Sequence, residues 1–496
     1  MPRSSKSLPL AFREYIVLFF GASTLAFTAW ALAGYKEWCL HTLVVGSMCA
    51  FIFSMIPMSR QSNGLDCLHA NDLNYKRFFK NPGIWFSLFF LLYLCLQGLN
   101  PAAEIYYKAD GTRWMRELSP RLGFDWPTSV DSFYKYINSW RVTLIYLSGF
   151  ALFWGFWIGL QRRKSVLVAL WVFVISGSSM GLVALLMDFT DTKLLLWTFP
   201  SNNPSFWGSF AYRNHGAAYL NLSLIAIGFL FFYYLKKARS RGHSGGPHLL
   251  LFCMFTLVLA SVIMALSRGG IIFGSIIGAV FFILCLTQAV GNFFKQAGKG
   301  LPILCFALLS SAAYVAYMQI DPATVVQRFG DVDATIKNAD RDARMLSSCA
   351  TWDMAQDRLI FGWGAGAFRY HFPKYQQHYP SIMYSRYHKK KGWIGRKTYH
   401  YAHNDILQFL AEYGLVGCSF LIALLSTLFW ILVRSIERFT SGVLILLLGL
   451  FVMLSHAFID FTLSSPAYLV ASIGFYALAA KLLILERRHA AVVSAK

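Results

Sequence analysis

Uninterrupted apolar runs of about twenty residues, repeated along most of this chain, constrain its fold more than any other feature. They fall at 15–34, 38–58, 84–99, 139–160, 165–187, 215–235, 248–266, 269–288, 301–319, 415–433, 441–460 and 465–486. A hydrocarbon core about 30 Å thick takes roughly 20 residues of helix to cross. Lipid offers no partner to a backbone N–H or C=O, so such a run must satisfy its own hydrogen bonds as a helix. The runs are continuous and do not alternate, which argues against a membrane β-barrel. Charged residues make up 14% of the 496, well below the roughly 25% of a soluble domain. The expectation is an all-α membrane protein of about 12 transmembrane helices with one large external loop.

A net charge of +22 invites a nucleic-acid reading. Placement excludes it, because the basic residues alternate with the apolar runs. Arg60, Lys76, Arg77 and Lys80 follow the second run; Arg162, Arg163 and Lys164 the fourth; Lys236, Lys237, Arg239 and Arg241 the sixth. Lys295 and Lys299 follow the eighth, Arg434 and Arg438 the tenth, Arg487 and Arg488 the twelfth. Every second link is basic, which assigns those links and both termini to the cytoplasm. The opposite links are then external: one near Lys36, 100–138, 188–214, a tight turn at Arg268, 320–414, and a turn near Phe461. This divides the chain into transmembrane helices 1–9 (1–319), an external loop subdomain (320–414), and helices 10–12 with a cytoplasmic tail (415–496). Arg3, Lys6 and Arg13 precede a first run longer than a signal-peptide core, so an uncleaved first helix is expected. The nine cysteines are odd in number and fall mainly inside apolar runs, as small buried hydrophobes do.

The external loop has room for a small subdomain. Asp342–Arg358 reads as a helix with Met345, Cys349, Trp352 and Met354 as its apolar stripe. Gly362-Trp363-Gly364-Ala365-Gly366 ends it, either cradling a phosphate or supplying a turn with positive φ; the turn is the plainer reading. The 370–401 stretch is aromatic and basic, with Tyr370, Tyr375, Tyr379, Tyr384, Tyr387, Trp393, Tyr399 and Tyr401 beside Lys389, Lys390 and Lys391. Such faces suit sugar rings and equally an interfacial belt. Asp331-Val332-Asp333 has the spacing of a metal-binding Asp-x-Asp, but in a loop it reads more simply as solvated.

Four external positions carry chemistry. Arg213-Asn214-His215 opens the sixth run, where an ionisable triplet is costly unless solvated or binding something; snorkelling by Arg213 is the plain alternative. Ser267-Arg268-Gly269-Gly270 is a tight turn that keeps Arg268 near the bundle or the headgroups, and a permanent planar cation suits phosphate oxygens. Arg344 alone would be an ordinary surface arginine. His403 precedes a helical stretch, Ile406–Tyr413, capped by Asn404 or Asp405 and broken by Gly414. Imidazole is the side chain best suited to take a proton near neutral pH. His400, three residues earlier, gives a His-x-x-His pair without a third metal ligand.

These four motifs, with His403-Asn404, nine residues, then Gly414-x-x-Gly417, resemble those of the O-antigen ligase superfamily, which includes O-antigen polymerases and protein O-oligosaccharyltransferases. The resemblance covers roughly 200–420. It implies a metal-independent, cofactor-free, inverting glycosyltransferase of the GT-C type in a bacterial inner membrane. Its donor would be a glycan on a polyprenyl diphosphate, and its acceptor a glycan, lipid A core or protein hydroxyl. His403 matches the family's essential histidine, the proposed base. Arg213, Arg268 and Arg344 match its arginines around the diphosphate, with His215 and Asn404 beside them as substrate contacts. Leu359 stands where relatives often have proline. A multi-pass transporter of an anionic solute is the competing reading. It calls for charges in mid-span, whereas here the ionisable residues cluster at the outer ends, His456 and Asp460 excepted.

Overall fold

The computed structural model describes residues 12–56, 75–76, 78–109, 113–123, 126–133, 137–243, 245–296, 342–388, 391–437 and 439–494. Helices follow the apolar runs: α1 (Phe12–Trp30), α2 (Glu37–Met55), α3 (Pro82–Leu99), α4 (Ser139–Gly159), α5 (Arg163–Phe189), α6 (Arg213–Ser240), α7 (Pro247–Met264) and α8 (Arg268–Gln296). The loop layer adds α9 (Ala343–Asp357), α10 (Phe368–Gln376) and α11 (Pro380–Met383), and the chain closes with α12 (Asp405–Val433), α13 (Thr440–Ile459) and α14 (Pro466–Ser494). Among the described residues ten helices are long and apolar enough to cross a membrane, α2 to α8 and α12 to α14. Helix α1 has the length of a span but holds Arg13 and Glu14 in its first turn and is not one of the ten. The expected run at 301–319, like Asp331 and Asp333, lies outside the described residues. The described residues therefore hold ten of the twelve expected spans, the ninth lying outside them.

Helix α6 runs through the middle of the bundle, buried from His215 to Phe232. Helices α4 and α14 are also largely buried, while α8 and α12 lie at the periphery. Between membrane helices, contact rests on close approach rather than on hydrophobic driving force, so small residues sit at the seams. Gly155 of α4 is one: a Cβ there would stand 3.1 Å from the α2 backbone at Ala50 and Phe51.

The two ends of the bundle differ. At one end Arg13 donates to the Ile56 carbonyl at 2.8 Å, and the buried Glu14 carboxylate accepts from the Gln161 and Arg162 amides at 3.0 Å. Arg163 pairs with Glu486 there at 3.1 Å. At the other end the loops form a layer that the all-α expectation did not foresee. Strand β1 (Pro101–Tyr107) pairs antiparallel with β2 (Arg113–Glu117) and parallel with β3 (Ser129–Asp131). Two-residue strands β4 (Leu194–Leu195) and β5 (Phe199–Pro200) pair antiparallel, and β6 (Tyr384–His388) forms a hairpin with β7 (Gly392–Arg396).

Helix α9 matches the expected span, and Met354 of the expected stripe is buried, but the rest of the buried face differs. Ser347, Ala350, Thr351, Met354 and Ala355 point inward, whereas Met345 and Trp352 are 52% and 42% exposed and Cys349 is exposed too. Hydrophobicity alone misjudged the face because α9 packs closely on the first half of α12, where small side chains fit.

Candidate functional site

The site is built where α12 meets the layer of loops. Asn404 has extended φ/ψ and its carboxamide oxygen accepts from the Leu407 amide at 3.1 Å, the N-cap that starts α12. Helix α12 then breaks at Gly414 (φ 63°, ψ −173°). The glycine-rich turn lies alongside the break. Leu415 N–H donates to Leu359 O at 2.8 Å, Val416 to Ile360 O at 3.0 Å, Trp363 to Ala411 O at 2.8 Å and Gly364 to Glu412 O at 2.9 Å. From α3, the Tyr93 hydroxyl donates to the carbonyls of Phe361 and Tyr413 at 2.6 and 2.9 Å. Broken helix in a membrane protein persists when its freed groups find such partners. Gly362, Gly364 and Gly366 all have positive φ, and a Cβ at Gly362 would lie 2.4 Å from Glu412 O. The stretch thus supplies the turn, packed on α12, with the Trp363 and Gly364 amides engaged by α12 carbonyls.

One residue before the cap, His403 adopts φ 57°. Its Nδ1 lies 3.3 Å from Asp460 Oδ1, and its ring meets Phe461 edge-on at 4.7 Å. The imidazole is 29% exposed and the carboxylate 2%. Asp460 follows the last residue of α13 and begins the turn to α14. Asp405 holds that turn, accepting from the Leu463 amide at 2.6 Å and the Ser464 hydroxyl at 2.7 Å. Arg344, at the start of α9, reaches Asp460 at 3.8 Å and the Ile459 carbonyl at 3.4 Å. Asn214 donates its amide to Asp460 Oδ2 and, at 2.9 Å, to the Tyr212 hydroxyl. Burial would push the Asp460 carboxyl up. The hydrogen bond from His403 and the charge of Arg344 outweigh it and hold the group well below the usual carboxylate range.

Arg213 opens α6, its amide donating to Ser205 O at 2.9 Å. Tyr212 stands among these charges. Its phenol is pushed up to about 12, first by burial and then by Asp460, with Arg344 and Arg213 pulling the other way. Arg268 opens α8, and the next residue, Gly269, packs against His456, one turn before Asp460 on α13. The first turns of α6, α9 and α12 therefore surround one buried carboxylate, and that of α8 lies a turn away. Helix N-termini carry partial positive charge and unpaired N–H groups, so this mouth favours an anion.

Two expected substrate contacts have partners within the protein. Asn404 is buried as the cap, and His215 is buried with Nδ1 on the Tyr35 hydroxyl and Nε2 3.0 Å from Phe461 O. Both hold backbone that carries the site. The imidazole of His400 is lowered, first by burial and then by Arg369 and Arg113. The aromatic stretch divides too. Tyr375 and Tyr379 donate to Asp357 and Asp353 at 2.5 and 2.9 Å, tying α10 and its C-terminal end to α9, whereas Tyr401 stacks on Phe461 at 4.7 Å, beside the dyad.

Sequence reasoning passed over Asp460, Tyr35 and Arg141, whose guanidinium donates to Tyr35 O at 2.6 Å. A signal for Asp460 existed. It and His456 were the ionisable pair at the end of an apolar run, and such residues mark function by default.

Residues 252–422 match the family model described as O-antigen ligase. No curated protein matches the chain.

Proposed function

We propose that this chain, whose residues 252–422 match the O-antigen ligase family model and whose described residues hold ten helices apolar enough to cross a membrane, carries out metal-independent, inverting transfer of a glycan. The donor is a polyprenyl-diphosphate glycan and the acceptor a hydroxyl on a glycan, lipid A core or protein. The carrying observation is the His403–Asp460 pair set among helix N-termini that bear arginines. Asp460 takes the Nδ1–H and fixes the tautomer, so Nε2 presents its lone pair to the acceptor. The acceptor O–H gives its proton to Nε2 as its oxygen bonds to the anomeric carbon. The bond from that carbon to the diphosphate breaks in line, and its electron pair leaves with the diphosphate. A diphosphate departs without a general acid when cations meet its developing charge; Arg213, Arg268 and Arg344 take that part. An apolar groove of about 600 Å³ begins at Ile406, Phe409 and Leu463 and extends along α12 to Leu428 and Ile431, a course suited to the prenyl chain. The mouth of the site faces outward on this reading, with the basic end of the bundle and both termini cytoplasmic.

The test is transfer in vitro from a defined polyprenyl-diphosphate glycan, with donor binding measured separately. His403→Ala should bind donor normally and transfer about 10²- to 10⁴-fold more slowly. Arg268→Ala should lose donor binding as well, and Lys there should restore it only partly, lacking the bidentate fork. Near-normal transfer by His403→Ala would remove the base from this residue.

A further inference from the structure

At the end of the bundle opposite His403, α5, α6 and α14 enclose a cavity of about 790 Å³. Its cations come from three separate parts of the chain: Arg163 and Lys164 where α5 begins, Lys236, Lys237 and Arg241 where α6 ends, and Arg487 toward the end of α14. Among the described lining residues these six face one carboxylate, Glu486. That carboxylate is occupied, taking two bonds from Arg163 at 3.1 Å and one from the Tyr233 hydroxyl at 3.0 Å. One to two turns inward along the same helices the lining changes character, to Leu167, Val168, Phe229, Leu482 and Leu483.

We propose that this cavity binds an anionic phospholipid, with headgroup phosphates on the cations and acyl chains along the apolar wall. The basic bias of a cytoplasmic face would by itself scatter cations over its loops; here they converge from three helices on one concavity. A net excess of five positive charges over the single carboxylate suits a headgroup with more than one phosphate, and basic pockets between membrane helices recognise such lipids. A soluble phosphate would use the cations and ignore the wall. A zwitterionic lipid would use the wall but bring its own cation to a site already rich in them. The proposal does not depend on the transfer reaction.

The experiment uses the full chain, delipidated in detergent, titrated with diphosphatidylglycerol, phosphatidylethanolamine or inorganic pyrophosphate. Bound lipid is read by native mass spectrometry and stability by thermal shift. Diphosphatidylglycerol should bind and raise the melting temperature while the other two do neither. Each cation near a membrane surface contributes about a fivefold factor, so Lys236→Gln/Lys237→Gln/Arg241→Gln should weaken that binding on the order of a hundredfold. If the triple variant does not fold, Lys237→Gln alone should weaken it about fivefold. Equal binding of phosphatidylethanolamine, an equal shift with pyrophosphate, or unchanged affinity in the variants would each overturn the proposal.

Discussion

His403 holds a left-handed backbone, φ 57°, that residues with a Cβ seldom take outside strained or functional positions. It is kept there by the cap on one side and by Asp460 on the other. Asp460 is in turn the most heavily engaged side chain of the site, meeting His403, Arg344 and Asn214 at once. Its depressed carboxyl stays ionised across the working range. The stability it contributes is complete above the ordinary carboxylate range, near pH 4, and is lost only as pH falls below it. Asp460→Asn should keep the fold near neutrality and slow transfer by about 10²- to 10⁴-fold, because an amide can steady the wrong tautomer. Asp460→Glu should recover part of that loss. Equal rates for Asn and wild type in the transfer assay would reduce Asp460 to a packing residue. The histidine was legible in the sequence, as one residue of a spaced motif. Its partner was not, because the two are 57 positions apart and only the turn between α13 and α14 brings them together.

Helix α12 shows how much an element can conceal. Its polar first half and apolar second half read as a short helix followed by a span, and its cap and its break at Gly414 were both legible in the residues. What could not be read was that the break pairs with the 359–364 turn and is closed by Tyr93 of α3, since that match is between segments far apart in sequence. Gly414→Ala puts a Cβ 2.4 Å from Ile360 O in a conformation almost reserved for glycine. Backbone strain of this kind costs about 1–3 kcal/mol, and the clash adds to it. The variant should accumulate poorly in membranes and melt several degrees lower in a thermal-unfolding assay; a wild-type melting curve would show that the break relaxes freely. The stripe on α9 went astray for a related reason. A helix packed tightly on another buries its small residues, and periodicity of large apolar side chains then points to the wrong face.

At the scale of the whole molecule, the alternation of basic and non-basic links became two chemically distinct ends, with Glu14, Arg163 and Glu486 at one and His403, Arg344 and Asp460 at the other. Hydropathy conveyed the helices but not the sheets of the loop layer: β2 is exposed throughout and β4 and β5 are two residues each, too little to leave a pattern. Cys349, exposed on α9, offers a native reporter of orientation. In cells stripped of their outer membrane, an impermeant thiol reagent should label it directly, whereas a cysteine introduced at Arg241 should react only after permeabilisation. The reverse pattern would invert the topology. The gathering of helix N-termini around the mouth has a cost of its own. On the proposed reaction, positive ends that draw a diphosphate away from the sugar would go on holding it once it is free, so exit of the spent carrier should set the pace of turnover. Rapid mixing with excess donor should then reveal a burst of about one transfer per protein before the steady rate, and a linear start would mean that bond breaking, not clearance, governs the cycle.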